Sequence, residues 1–381
     1  MNKKHIFFYT LLRPFVILYL KLKFGYQYET ARQLPDNYIV LSNHVTDYDP
    51  LFVGASFPKQ MYFVASEHIA RWKYLYVFLK YVLAPIIRYK GTVATSTVMD
   101  VLRKVRKGAN VCIFAEGVRT WDGVTCPILP STAKMIKASG CALVTYKITG
   151  GYFVSPGWSE GNLRKGPIKG APVQIYTKEQ LAKMTHDEIY DIITRDLYED
   201  AYARQLASPQ KYTGKHLAEP LQNLLFICPE CGAKDSFTSK KDTITCNCCG
   251  VSYRYNEYGM LDGAPFKTIR ELSDWQKTQV SVDMEAGEIY TSPEATLSTI
   301  TDHLETLVAQ GALSISTQAL KCGDTEILLK DISDMAIHGR HTLVFTAGKH
   351  YYELKPARNT NALKFLLYYE EYKKQSIKKV G

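Results

Sequence analysis

Acidic side chains are missing from the first 28 residues of this 381-residue chain, whereas Lys3, Lys4, Arg13, Lys21 and Lys23 all fall there. The first 32 residues thus carry half of the net charge of +10. An uninterrupted apolar run of membrane length is missing too. "IFFYTLLRPFVILYL" (6–20) is broken by Arg13 and Pro14, and its fifteen residues as a helix cover about 22 Å of a roughly 30 Å hydrocarbon core. No small-x-small cleavage site follows, which argues against a removable secretory signal. The expectation is a basic, aromatic-rich helix over residues 1–30 lying in the interface of an anionic membrane; the alternative is a helix packed on the protein's own core.

A disulfide framework is absent as well. Of nine cysteines, four form two Cys-x-x-Cys pairs, while Cys112, Cys126, Cys141 and Cys322 are scattered. That spacing excludes a small secreted disulfide scaffold and fits a reducing, cytoplasmic setting. A hydrophobic content of 46% and this length describe packed globular protein in two or three units.

Up to about residue 220 the chain alternates between two periods. Short β-rich runs at 37–43, 61–65, 84–89, 110–116 and 142–148 enclose helical patterns at 67–83, 95–107 and 131–139. A further strand is expected at 172–177, followed by a capping box, Thr185 with Glu188, that opens a helix carrying Ile189, Ile192, Ile193 and Leu197. The pattern predicts an α/β sandwich over residues 31–222.

Three of its strand ends carry chemistry. His44 follows the first strand in "LSNHVTDYDP", with Asp47 and Asp49 close behind. A His44–Asp49 contact requires the chain to curl back, because five residues along a continuous helix rotate a side chain well off the same face. Asp49 also qualifies as a helix cap before Pro50. "IFAEGVRT" (113–120) sets Glu116, Gly117 and Arg119 at another strand end, and "PIIRYKG" (85–91) delivers Arg88 from a third. Ligands of α/β sheets bind at such ends, glycine admits a close backbone approach, and a guanidinium forks two hydrogen bonds onto a phosphate.

These residues resemble the glycerolipid acyltransferase family, in particular its bacterial lysophosphatidic acid (1-acylglycerol-3-phosphate) acyltransferases, over about residues 1–215. Asn43-His44 with Asp49 is similar to the N-H-x-x-x-x-D motif, Ile87-Arg88 to the second motif, and Phe114 to Thr120 to the F-P-E-G-T-R-S block. Ala115, Val118 and Thr120 replace its Pro, Thr and Ser, Ile87 stands where an acidic residue is common, and Thr145 where the fourth motif has proline. The resemblance implies acyl transfer from acyl-CoA or acyl-ACP to a lysophospholipid, with His44 as general base oriented by Asp49. Arg88 and Arg119 then hold phosphate, with Glu116 and Gly117 shaping that site.

Two other signals bear on chemistry. "GWSEG" (157–161) matches the G-x-S-x-G nucleophile elbow, but loop residues flank it on both sides and no helical period follows Ser159, so it reads as a loop. The aromatic run 72–87 reads as core in preference to an acyl tunnel.

Beyond the sandwich, Cys228 and Cys231, then Cys246 and Cys249, form two knuckles with fourteen residues between them, the spacing of a zinc ribbon over 223–258. Cys248 is a spare thiol that can compete. No arginine-rich arm accompanies the ribbon, so nucleic acid is not expected and zinc is given a structural role. Residues 259–282 read as a linker. In 283–381, apolar positions Leu297, Ile300, Leu304 and Leu307 follow helical spacing, four short β-like runs follow, and a last helix carries Leu363, Leu366 and Leu367. Strands closed by a C-terminal helix resemble pleckstrin-homology-like modules, an adaptor for lipid or protein; the alternative is a plain oligomerisation domain.

The combined expectation is a peripheral acyltransferase on the cytoplasmic face of the cell membrane, with appended ribbon and adaptor. The alternative is a catalytically idle, zinc-dependent lipid-binding scaffold.

Overall fold

Tyr38–Ser42 is buried at every position, as a strand covered on both faces must be. In the computed structural model it lies in the middle of a seven-stranded sheet. The structure describes residues 3–66, 85–88, 95–301, 304–358 and 360–380. The helix expected over 67–83 and nearly all of the aromatic run 72–87 lie outside them.

The strands of this sheet are β1 (Gln27–Tyr28), β2 (Tyr38–Ser42), β3 (Met61–Ser66), β4 (Ile86–Arg88), β5 (Asn110–Phe114), β6 (Ala142–Thr149) and β7 (Lys169–Tyr176), in the order β1-β7-β6-β2-β5-β3-β4. Pairing of β2 with β5 and β6, and of β3 with β5 and β4, is parallel; β6 with β7 is antiparallel. The carboxyl ends of β2, β4 and β5 therefore face one edge.

Helices cover both faces. On one, α3 (Thr95–Arg106), α4 (Ser131–Ser139) and α5 (His186–Leu197) bring Val101, Val105, Ile136, Ile189 and Ile193 against Ile39, Leu41, Val111 and Leu143. The Thr185–Glu188 capping box opens α5 as expected. The other face carries α1 (Lys3–Phe24) and α2 (Asp49–Ser56), with Phe57 packed on the rings of Tyr38 and Tyr146. All of this belongs to one compact unit, which ends at Gly214.

α1 lies within the expected 1–30 and extends beyond the fifteen-residue apolar run: it continues for 22 residues straight through Arg13 and Pro14. At about 33 Å it is long and apolar enough to cross a bilayer by length and composition. Yet Tyr9, Leu20 and Phe24 are buried on one side, whereas Phe7, Leu11, Phe15, Leu18, Tyr19 and Leu22 are exposed. At 3.6 residues per turn the exposed six fall within an arc of about 120°, opposite the buried three.

A second unit gathers Trp158–Asn162 and the residues from Lys215 on. Ser159 is buried with its hydroxyl donating to Glu219 O, and neither strand nor helix flanks it directly, so "GWSEG" is a loop whose Trp158 packs on Tyr255. β8 (Phe237–Lys240), β9 (Thr243–Cys246), β10 (Ser252–Tyr255) and β11 (Leu261–Asp262) form an antiparallel sheet around the cysteine pairs.

The expected linker is not one. Residues 259–282 hold β11 and most of α6 (Ile269–Glu285), opened by a capping box of Thr268 and Glu271. Buried Gln276 on α6 accepts from the amides of Phe226 and Ile227 and donates to Leu224 O, which pins the segment leading into Cys228.

The helical spacing at 297–307 is also overturned. β12 (Tyr290–Thr301) and β13 (Leu304–Ile315) form an antiparallel pair there. Leu297 and Ile300, three apart and so on opposite faces of β12, are both buried, while Leu304 and Leu307 are exposed and belong to no core. With β14 (Ala319–Cys322), β15 (Thr325–Leu328), β16 (Ile332–His338), β17 (Thr342–Ala347) and β18 (His350–Pro356) they complete a sheet in the order β15-β14-β13-β12-β18-β17-β16, followed by α7 (Leu363–Val380).

Candidate active site

Because β2 and β5 are parallel neighbours with Ser42 opposite Phe114, the segments that leave them, Asn43–Pro50 and Ala115–Thr120, start side by side at the same edge. Asn43 fastens the first. Its side-chain amide donates to Ile148 O and accepts from Ile148 N on β6.

The chain then curls as the His44–Asp49 contact requires. His44 Nδ1 lies 2.7 Å from Asp49 Oδ2, and the same carboxylate accepts from the amides of Val45 and Thr46 and from the Thr46 hydroxyl. Asp49 is fully buried and surrounded by donors. It is the first residue of α2 and its bonds go backwards into the loop, so the capping role is not what it performs; Tyr48 occupies the cap without a side-chain bond. The imidazole stacks on Phe114, with ring centroids 4.6 Å apart, and with Nδ1 held by Asp49 it is Nε2 that remains for a ligand.

Glu116 staples the two segments. One carboxyl oxygen accepts from His44 N at 2.6 Å and the other from Cys126 N at 2.5 Å. Burial pushes its pKa up to about 8, against the pull of these backbone donors.

Arg88 arrives from the end of β4, two strands beyond β5. Gly117 has φ +72°, and a Cβ built there would lie 2.8 Å from Arg88 Nη1, so the guanidinium occupies the space a side chain would take. Gly117→Ala is therefore expected to cost about 1–2 kcal/mol in backbone strain and to displace Arg88. Thermal melts should show the first, and a crystal structure of the variant the second.

Arg119, nearly buried, has Nη1 3.1 Å from Asp47 Oδ2, an ion pair that is not an aligned hydrogen bond. The two aspartates after His44 thus divide the work, Asp49 toward the imidazole and Asp47 toward the guanidinium. In sequence Asp47 lies as close behind His44 as Asp49 does, and only the fold separates them. The Cys126 amide and the Thr46 hydroxyl carry no signal in residue type. Thr145 lies elsewhere: it is buried and donates to Asp196 on α5.

The cysteine pairs also come together. The ligand atoms of Cys228, Cys231, Cys246 and Cys249 all lie within 4.8 Å of one another, with Cys228–Cys249 and Cys231–Cys246 each 3.8 Å apart. A tetrahedral zinc with bonds of about 2.3 Å needs sulfurs about 3.8 Å apart, so the four thiols fit that ion. Cys248 stays outside the group.

Residues 26–149 match the family model described as Acyltransferase. A comparison with curated proteins gave no match. Among solved structures, the chain is similar to the 1-acyl-sn-glycerophosphate (LPA) acyltransferase PlsC from Thermotoga maritima. The likeness has 16% identity and a TM-score of 0.43 and covers 52% of this chain and 80% of that one. A likeness of that degree says nothing of donor or acceptor.

Proposed function

We propose that this chain moves a fatty acyl group from acyl-CoA or acyl-ACP to the free hydroxyl of 1-acylglycerol-3-phosphate at a membrane surface. The observation that carries this reading is the His44–Asp49 pair, 2.7 Å apart, at the sheet edge that also holds Arg88 and Arg119.

In this reading His44 Nε2 takes the proton of the acceptor hydroxyl as its oxygen attacks the thioester carbonyl, and Asp49 stabilises the imidazolium that forms. The tetrahedral intermediate collapses by breaking the C–S bond, and the leaving thiolate recovers the proton from His44. No enzyme nucleophile is needed. A thioester is already activated, so positioning and oxyanion stabilisation by backbone amides supply much of the rate.

Arg88 and Arg119 hold the acceptor's phosphate, with Glu116 and Gly117 shaping the space. Arg88→Ala and Arg119→Ala should each raise the acceptor KM by a factor of about 10 to 150, the equivalent of a charge-assisted hydrogen bond of roughly 1.5–3 kcal/mol. Donor KM should stay constant. Equal rises in both would put the phosphate elsewhere.

The membrane face is the exposed stripe of α1. Lys3, Lys4 and Lys21 on the same helix, with no acidic residue in it, favour an anionic lipid surface. The burial of the opposite side against the protein favours a helix lying in the interface over one crossing it. We assign the cysteine group to structural zinc, and read the seven strands closed by α7 as a pleckstrin-homology-like adaptor.

The direct test incubates purified protein with lysolipids of different headgroup and with acyl-CoA and acyl-ACP, and identifies products by mass spectrometry. Phosphatidic acid is the expected product. Turnover only of acceptors lacking a phosphate monoester would overturn the acceptor assignment, and no transfer to any of them would favour the idle scaffold.

A further inference from the structure

α2 is held at both ends by α1. At its carbonyl end, Tyr9 Oη donates to Gly54 O at 2.9 Å and to Phe57 O at 2.8 Å, while Arg13 reaches Gly54 O through Nε at 3.3 Å and Ala55 O through Nη2 at 2.5 Å. Ala55 O is one of the carbonyls that the end of a helix leaves without an intrahelical partner, Gly54 O also accepts from the amide of Phe57, and a cation there is favoured by the helix dipole. At its amino end, Lys23 Nζ donates to Tyr48 Oη at 3.1 Å, and the Phe24 ring packs on Tyr48 and Phe52 at 4.8 and 5.4 Å. Tyr48 precedes Asp49 directly. Asp49 is thus the first residue of an eight-residue helix clamped at both ends by an element that bears no reacting group, beside supports from Tyr26, whose hydroxyl donates to Phe52 O, and from Ala31, whose amide donates to Ser56 O.

We infer that Arg13 and Tyr9 are positioning residues for the His44–Asp49 pair: they set the axial position and rotation of α2, and with it the carboxylate that orients the imidazole. The inference rests on the acyl-transfer reading for its meaning, not for its geometry. It also explains an arginine in the middle of an otherwise apolar helix. Arg13 lies on the side facing α2, about 160° or more from the centre of the exposed stripe, where it serves the protein and not the lipid.

The two sides of α1 then have separable roles, and this is what an experiment on the full-length chain can read. Arg13→Gln, Arg13→Lys and Tyr9→Phe are compared with the double variant Phe15→Ser/Leu18→Ser on the outward stripe. Turnover is measured with water-soluble short-chain acyl thioester and lysophosphatidate. Membrane binding is measured by sedimentation with phosphatidylglycerol–phosphatidylcholine vesicles. Hydrogen exchange is followed at the amides of Val45 and Thr46, both donors to Asp49.

Arg13→Gln and Tyr9→Phe should lower kcat roughly 10- to 100-fold, the scale of a misplacement near 1 Å, with KM and sedimentation unchanged and faster exchange at both amides. Arg13→Lys, which keeps a donor and the charge, should recover part of kcat. The outward variant should do the reverse, losing sedimentation and keeping kcat. Unchanged kcat and exchange in Tyr9→Phe, which removes a single oxygen and so keeps the fold if Arg13→Gln does not, would overturn the positioning role. Loss of kcat and sedimentation in parallel in all variants would also overturn it, leaving α1 a membrane contact alone. Full turnover by His44→Ala would instead refute the acyl-transfer reading, and the exchange rates would still decide whether α1 positions Asp49.

Discussion

Replacing His44 by alanine should lower acyl transfer by a factor of about 10² to 10⁴, the range that a general base contributes, with the fold intact. The fold survives because the imidazole is a partly exposed side chain at a loop, whereas what anchors the loop is the backbone: His44 N to Glu116 and the amides of Val45 and Thr46 to Asp49. Asp49→Asn is expected to be severe for a different reason. An amide presents one oxygen where the carboxylate now accepts from two amides, a hydroxyl and the imidazole, so it orients the ring poorly and cannot stabilise a positive charge on it. Steady-state kinetics with a circular-dichroism control reads both variants. A folded His44→Ala chain that turns over within a few-fold of the unaltered one would sink the mechanism.

The second large effect concerns the four thiols. Isolated zinc-finger peptides gain roughly 10–16 kcal/mol from their ion and are unfolded without it. The ribbon here has supports of its own, chiefly Gln276, bonded to the segment before Cys228, and the fully buried Ile244 and Tyr253. Chelation, or Cys228→Ser with Cys246→Ser, should therefore cost several kcal/mol, less than the peptide value, and loosen residues 223–258 first. Elemental analysis should find one zinc per chain, and hydrogen exchange should locate the loosened segment. None of the proposed site residues belongs to the second unit, so transfer in detergent should persist after chelation. Loss of chemistry while residues 3–214 stay folded would give the metal a catalytic part and refute this assignment.

The sequence by itself determined what depends on neighbours a few residues apart. Periodicity placed α4 and the Thr185–Glu188 cap at their observed positions, and the knuckle spacing identified the four cysteines that meet. The strand-end positions of His44, Glu116 and Arg88 were legible as well, because a parallel sheet necessarily brings such ends to one edge. Tertiary structure alone decided the rest. Which aspartate faces His44 depended on how the loop curls between Glu116 and the start of α2, and both candidates had the same chemistry. The pair of strands at 290–315 hid behind helical spacing because β12 is buried on both faces, so Leu297 and Ile300 are covered three residues apart, and what covers each face is settled by other elements. The linker proved to be a helix because Gln276 has buried backbone partners fifty residues away. α1 runs through Arg13 and Pro14 because α2 offers the arginine carbonyls, a compensation that only the folded chain supplies.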